Sequence, residues 1–154
     1  MKKAFKLTSV VLCLTVLTLC LCGCSQKREK IVDVITMATS VYVCGEQVET
    51  VEASMGAFKG KQGDFIEFRF DEPQTFNTVF ITEKTATVRQ YNLFAEIDGE
   101  IQEIYTGKLI MAENVTFDTV TATAFKFTVV KTEIGSNEFI IQGISAYNIS
   151  ESEN

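Results

Sequence analysis

From residue 31 to residue 147, apolar and polar side chains alternate with a period of two, which is the pattern of half-buried β-strands. In the segment 65–70, Ile66, Phe68 and Phe70 share one face of a strand, and the charged residues between them share the other. The same alternation predicts strands at Ile31–Thr36, Val41–Cys44, Phe76–Thr82, Val88–Asp98, Ile101–Tyr105, Val115–Phe117, Ala124–Val130 and Phe139–Tyr147.

Turn residues separate these strands. Asp71–Gln74 contains the single proline of the chain, and Asp98-Gly99 is a dipeptide typical of two-residue hairpins. Residues 45–63 have no period and are predicted to form a long loop, and no segment after residue 30 has the pattern of an amphipathic helix. About eight short strands, each with one apolar face, predict an all-β fold, namely an antiparallel two-sheet β-sandwich of the jelly-roll type.

The first 23 residues have the pattern of an export signal. Three lysines and no acidic residue accompany the apolar run Leu7–Cys22, which at 16 residues is short for a membrane span. The run ends in Leu21-Cys22-Gly23-Cys24, which resembles the lipobox of bacterial lipoproteins. That resemblance implies cleavage before Cys24 and attachment of fatty acyl chains, such as palmitate, to this cysteine. An ordinary cleaved signal peptide and an uncleaved anchor helix are the alternatives.

The lipobox resemblance divides the chain into four parts. These are a lipoprotein signal peptide (1–23, a helix), the lipidated Cys24 with a short tether (24–30), a β-sandwich domain (31–149) and a polar tail (150–154). More than one acyl chain gives stable anchoring, because each buried methylene contributes roughly 0.8 kcal/mol. The expected location is therefore the exported side of a bacterial cell membrane or outer membrane.

Composition excludes several kinds of chemistry. The chain has 154 residues, 20 acidic and 14 basic side chains and a net charge of −6, which argues against a nucleic-acid partner. It has no histidine, so histidine-based zinc sites and histidine-activated nucleophiles are excluded. Once the signal peptide is removed, Cys24 and Cys44 are the two remaining cysteines, and lipidation of Cys24 leaves Cys44 without a partner in the chain. We interpret Cys44 as a small apolar residue in or near a strand; a reactive thiol or an intermolecular bridge is the alternative.

Several segments occur in an order and spacing that are together informative, namely Asp64–Val79, Ile81–Glu83, Val88–Tyr91, Asp98-Gly99, Ala122–Phe127 and Phe139–Tyr147. They resemble the discoidin-type domain, also called the coagulation-factor C-type or galactose-binding-like domain, as found in modules appended to bacterial fucosidases. The resemblance covers about residues 60–148 and implies a β-sandwich that binds ligands.

The chain departs from this family where the family binds calcium and sugars. Residues 45–63 lack the family's Asp-Gly-x-x-x-Thr-x-Trp loop, which helps bind a structural calcium, and the chain has no tryptophan. No cofactor is predicted, and a calcium site that uses Glu46, Glu49 or Asp64 is left open because Ca²⁺ prefers oxygen ligands. Asn114-Val115-Thr116 and Asn148-Ile149-Ser150 fit the glycosylation acceptor pattern. In a bacterial lipoprotein we interpret both matches as chance.

Four residues are candidates for ligand binding, and each has an ordinary structural explanation as well. Arg89 and Glu83 match family positions, and they are either ligand contacts or a structural pair near the start of a strand. Phe58 is either an exposed stacking platform or a core residue at the mouth of the sandwich. Asn137 offers an amide before the last strand, although polar residues are common in turns.

These observations predict a non-catalytic, membrane-anchored lipoprotein whose β-sandwich binds a carbohydrate or another envelope ligand through its end loops. The alternative is a structural or protein-interaction subunit of a cell-envelope complex, which requires an exposed apolar patch. A hydrolase requires two carboxylates that converge in a cleft, and nothing in the sequence places two together.

Overall fold

The structure is a computed structural model that describes residues 31–48, 58–110, 114–136 and 138–149. The signal peptide, Cys24, the tether and the polar tail lie outside these residues and stay predictions. The described residues form one 3-10 helix (Val34–Met37) and eight strands, which are β1 (Ser40–Val43), β2 (Glu46–Val48), β3 (Phe58–Gly60), β4 (Phe65–Glu83), β5 (Val88–Ile97), β6 (Glu100–Gly107), β7 (Asn114–Thr132) and β8 (Phe139–Tyr147).

Two 19-residue strands, β4 and β7, belong to both layers of the sandwich. Residues 65–69 of β4 pair with 124–128 of β7 inside a layer ordered β2-β1-β4-β7-β5-β6. Residues 78–80 of β4 pair with 114–116 of β7, and this second layer continues through β8 to β3. Between the two regions the β4–β7 ladder is irregular, as expected where strands pass from one sheet into the other. All pairings are antiparallel, so the prediction of an all-β antiparallel sandwich is confirmed.

The irregularity near Asn77 inverts which side chains of β4 face the core. Before it, alternate residues such as Phe68 and Phe76 are buried, whereas after it Val79 and Ile81 are buried. Thr78 and Val79 are both buried, so the two-residue period changes by one position there, next to the register shift between Phe76 and Thr78, and both halves of β4 keep their apolar side chains inside.

Phenylalanine rings fill the space between the layers. Phe76 contacts Phe117 and Phe125 edge-to-face, with ring centroids 6.0 and 5.6 Å apart. Full burial of such a side chain contributes about 1.5–3 kcal/mol, so these rings dominate the stability of the domain. The largest fully buried side chains include Phe68, Phe76, Phe125, Phe127 and Phe139.

The two ends of the sandwich differ in what they carry. The termini end holds both ends of the described chain, because Asp33 accepts a hydrogen bond from Ala146 N (2.9 Å) and Ile149 N donates to Asn77 (2.9 Å). The Asp98-Gly99 turn lies at the same end, since it lines a groove with Thr119, whose hydroxyl accepts a hydrogen bond from Asn77. The loop end, opposite to it, holds the turns 61–64, 84–87 and 133–136. These turns are joined to neighbouring segments by backbone hydrogen bonds, such as Glu133 N to Thr87 O (2.8 Å).

The predicted strand Ile31–Thr36 is wrong, because the chain forms a 3-10 helix at Val34–Met37. Asp33 caps this helix by accepting a hydrogen bond from Ile35 N (3.1 Å). Val34 and Ile35 are both buried, which successive residues of a strand with one exposed face cannot achieve.

The predicted boundaries differ in three other places. The segment 45–63 contains β2 and β3 rather than a single loop, and its residues 49–57 lie outside the described part. The predicted turn Asp71–Gln74 does not end the strand: Asp71–Pro73 is an exposed, unpaired stretch within β4, where Pro73 is tolerated, and Gln74 already pairs with Ala122 of β7. The segments 115–117 and 124–130 belong to one strand, β7. Cys44 lies directly after β1, in the β1–β2 turn with φ = 52°, and its side chain is exposed.

Candidate functional site

A groove lies between the end of β6 and the start of β7, with a volume of about 370 Å³. We call it the Tyr105 groove. Tyr105 and Lys108 line one side, Asn114 and Thr116 line the other, and Ile81 and Tyr91 lie between them. The volume falls within the range of small-molecule sites in proteins.

A bulge in β6 turns Tyr105 toward this groove. Leu93 pairs with Tyr105 and Phe94 pairs with Glu103, so Ile104 is the extra residue between them. Both Ile104 and Tyr105 are partly buried as a result, whereas the rest of β6 from Glu100 to Glu103 is exposed. Bulges change the direction of side chains in this way and are common beside functional sites.

Tyr91 supports the ring of Tyr105 from below. The two ring centroids are 6.2 Å apart with an angle of 35° between the planes, and Tyr91 also contacts Phe127 at 5.6 Å. Burial, with a smaller contribution from Tyr105, raises the pKa of Tyr91 from 10.0 to about 12. The hydroxyl of Tyr91 is therefore neutral at physiological pH.

The chemistry of the Tyr105 groove suits a polar ligand that has apolar faces. An aromatic ring packs on apolar surface, while the ammonium of Lys108, the amide of Asn114 and the hydroxyl of Thr116 supply hydrogen bonds. Leu109 is 48% exposed beside them and adds apolar surface at the rim.

A second groove of about 380 Å³ lies at the termini end between the Asp98-Gly99 turn and β7. We call it the Thr121 groove. It is lined by hydroxyls, including that of Thr121, and by the carboxylates of Glu96 and Asp98. Glu96 is already engaged, since it accepts a hydrogen bond from Thr123 Oγ1 (3.1 Å) and lies 3.6 Å from Arg69. No aromatic ring is among its described lining residues, so the Tyr105 groove is the stronger candidate.

The structure buries the candidate Phe58 in the core. It is 8% exposed and its ring packs edge-to-face on Phe139 with centroids 5.2 Å apart. In this position the ring is not a stacking platform at the surface, and Phe58 is a core residue at the mouth of the sandwich.

Glu83, the last residue of β4, and Arg89, the second residue of β5, flank the β4–β5 connection and do not pair with each other. Glu83 Oε1 accepts hydrogen bonds from Thr87 N (2.8 Å), Thr87 Oγ1 (2.5 Å) and Val88 N (3.0 Å), which fixes the turn. Arg89 donates to Ala86 O (2.9 Å) and forms an ion pair with Glu133 (2.9 Å). Neither side chain lines the Tyr105 groove. The candidate Asn137 lies outside the described residues.

The structure describes two of the three proposed calcium ligands, and it does not bring them into a cluster. Across residues 31–48, 58–110, 114–136 and 138–149, no three acidic or cysteine side chains converge as a metal site would require. Asp64 instead accepts a hydrogen bond from Lys61 N (2.8 Å) within its own turn. In the same described ranges, no helix has the length and apolar character needed to cross a bilayer.

Sequence reasoning did not find Tyr105, Lys108 or Asn114 as site residues. The alternation of β6 gives no sign of the bulge at Ile104, which depends on the pairing with β5. Asn114-Val115-Thr116 fits the glycosylation acceptor pattern, which does not predict a binding site. Only the β4–β7 register shows that this segment forms a wall of the groove.

No protein-family model and no curated protein sequence matches this chain. Among solved structures, the fold is similar to that of the family 32 carbohydrate-binding module from Streptococcus pneumoniae EndoD, with a TM-score of 0.63 and 14% identity over 77% of this chain and 100% of that one. It is similar to the family 32 module of AlyQ in complex with 4,5-unsaturated mannuronic acid (TM-score 0.60, 15% identity, 79% of this chain and 100% of that one).

The fold is also similar to part of SpGH29, with a TM-score of 0.62 and 13% identity over 77% of this chain. This chain spans only 28% of the length of SpGH29. At such identities the similarity concerns the fold alone. The chain therefore has the discoidin-type, galactose-binding-like β-sandwich fold that its sequence resembles.

Proposed function

We propose that this chain is a lipid-anchored, non-catalytic binding module that holds a carbohydrate in the Tyr105 groove. The observation that carries the proposal is the combination, in one groove of about 370 Å³, of a tyrosine ring with ammonium, amide and hydroxyl groups. Sugar rings present apolar faces and hydroxyl edges, so they need both kinds of contact. The fold shared with carbohydrate-binding modules supports this reading.

Two features support a binding role rather than catalysis. Two of the solved structures that this chain resembles, both covered over their full length, are carbohydrate-binding modules. Glycosidases generally use a pair of carboxylates, and no carboxylate is among the described residues that line the Tyr105 groove.

Anchoring through Cys24 is supported by the lipobox resemblance and by the position of the first described residues. Asp33 lies at the termini end, so a lipid on Cys24 would be joined by the six residues 25–30 to that end of the domain. Mass spectrometry of membrane extracts should find acyl chains on Cys24, and Cys24→Ala should release the protein from the membrane. A soluble, unmodified wild-type chain would refute the anchor.

A glycan array tests the binding proposal, with the full chain solubilised in detergent. We expect specific binding that Tyr105→Ala abolishes and that Ile134→Ser leaves unchanged, since Ile134 is 98% exposed on the turn 133–136. Thermal unfolding of each variant separates lost binding from lost folding. Arg89→Ala and Asn137→Ala form a second pair, which tests the candidates from the sequence. Binding lost in these two and retained in Tyr105→Ala would move the site from the Tyr105 groove to Arg89 and Asn137.

The second candidate is a protein-interaction subunit of an envelope complex. It is favoured by four apolar side chains at or near the termini end, Ile31, Val32, Met37 and Ile149, which are 37–60% exposed. This candidate would be supported instead if the array shows no bound glycan and if the chain binds a partner protein whose binding is lost in Met37→Ser.

A further inference from the structure

The described lining of the Tyr105 groove carries a positive charge, whereas the net charge of the chain is negative. The chain carries a net charge of −6, yet Lys108 is the one ionised side chain among the described residues that line this groove. Lys108 is exposed and has no carboxylate within ion-pair distance in the described residues. Within the described residues, its positive charge is therefore not matched by a carboxylate.

The Thr121 groove provides an internal comparison. Its volume of about 380 Å³ is nearly the same, but its ionised lining side chains are the carboxylates of Glu96 and Asp98. An anionic ligand is repelled by the Thr121 groove and attracted by the Tyr105 groove, so charge rather than size distinguishes the two.

We infer that the Tyr105 groove selects anionic saccharides, with Lys108 pairing with the carboxylate or sulfate group while the ring of Tyr105 packs on the sugar. This inference rests on the proposed function and names the class of its ligand. A lysine ammonium is a point charge without the forked geometry of arginine, so it accepts either anion. A charge-assisted hydrogen bond is stronger than a neutral one, which favours the charged sugar over its neutral counterpart.

Isothermal titration of the full chain in detergent tests this inference with three probes. They are trigalacturonate, its fully methyl-esterified form, which has the same sugars without charge, and a sulfated galactose trisaccharide. We expect the two anionic probes to bind about tenfold more tightly than the ester in 50 mM salt, and the difference to shrink in 300 mM salt.

Three variants assign the charge effect to one side chain. Lys108→Gln should weaken trigalacturonate binding about tenfold and remove most of its salt dependence. Lys108→Arg should retain the wild-type affinity and its salt dependence. Lys84→Gln, which removes another exposed lysine from the turn 84–87, should leave binding unchanged.

The outcomes separate the inference from the proposed function. If the methyl ester binds as tightly as trigalacturonate and Lys108→Gln changes neither affinity, the inference is wrong and the proposed carbohydrate site stands. If Lys84→Gln weakens binding as much as Lys108→Gln, the attraction comes from general surface charge and the inference is also wrong. If neither these probes nor any neutral saccharide binds, the proposed function fails together with it.

Discussion

Tyr91 and Gly107 fit together only because residue 107 has no side chain. The two residues pair across β5 and β6, and a Cβ atom on Gly107 would overlap the ring and hydroxyl of Tyr91. Tyr91 is 2% exposed, and its ring lies between the core residue Phe127 and the groove residue Tyr105. The shape of the Tyr105 groove therefore depends on a glycine that does not itself contact a ligand.

Gly107→Ala should lower the free energy of unfolding by about 1–3 kcal/mol, the usual cost of forcing extra volume into a packed site. Urea unfolding followed by circular dichroism measures this change. Gly143→Ala is the matched control, because the nearest atom to its added Cβ is the hydroxyl oxygen of Thr82 at 3.3 Å, and its cost should be smaller.

A double-mutant cycle with Tyr91→Ala assigns the cost of Gly107→Ala to this contact. With the ring removed, Gly107→Ala should cost at most a few tenths of a kcal/mol, because a coupled pair is not additive. An equal cost of Gly107→Ala in both backgrounds would show that the strain lies elsewhere.

Burial of Tyr91 predicts a loss of stability at alkaline pH. Its pKa is raised from 10.0 to about 12, so between these values the unfolded chain releases the phenolic proton while the folded chain retains it. Stability from this group is complete below pH 10 and falls as the pH rises toward 12, by on the order of 2 kcal/mol. The measurement is urea unfolding at pH 9, 10 and 11. Lysines titrate in the same pH range, so Tyr91→Phe should reduce the fall in the free energy of unfolding without abolishing it. An unchanged slope of this free energy against pH would contradict the assignment of the effect to Tyr91.

The regular parts of the fold follow from local sequence. The strand Phe139–Tyr147 has the predicted bounds, and the hairpin occurs at Asp98-Gly99, where both residues adopt positive φ angles of 53° and 82°. Period and turn chemistry suffice for such elements, because each is decided by neighbouring residues.

The irregular parts depend on residues distant in sequence. The shift near Asn77, the continuation of β4 past Pro73 and the bulge at Ile104 all follow from pairing with another strand. Since the bulge turns Tyr105 into the groove, the candidate site could not be read from alternation in β6. The family resemblance predicts Glu83 and Arg89 as site residues, whereas in the structure both hold the β4–β5 connection.

Phe58 should behave as a core residue. Phe58→Ala removes the edge-to-face contact with Phe139 and should lower the free energy of unfolding by about 3–5 kcal/mol. Phe58→Leu keeps most of the volume and should cost less. Affinity per folded molecule should stay unchanged in Phe58→Leu, measured by titration with the best glycan from the array. Normal stability combined with lost binding would instead make Phe58 a ligand contact.

Glu83 should contribute to stability through the turn that it holds. Glu83→Ala leaves Thr87 N, Thr87 Oγ1 and Val88 N without their acceptor, and should lower the free energy of unfolding by about 2–3 kcal/mol. Glu83→Gln retains an acceptor oxygen for these donors. Its amide NH₂ would replace Oε2, which is buried without a hydrogen-bond partner among the described residues, so we expect an intermediate loss. Glu100→Ala, an exposed carboxylate on β6, should change stability by less than about 0.5 kcal/mol and serves as the control. Equal stability of Glu83→Ala and Glu100→Ala, with glycan binding lost only in the former, would mean that the carboxylate acts on a ligand rather than on the turn.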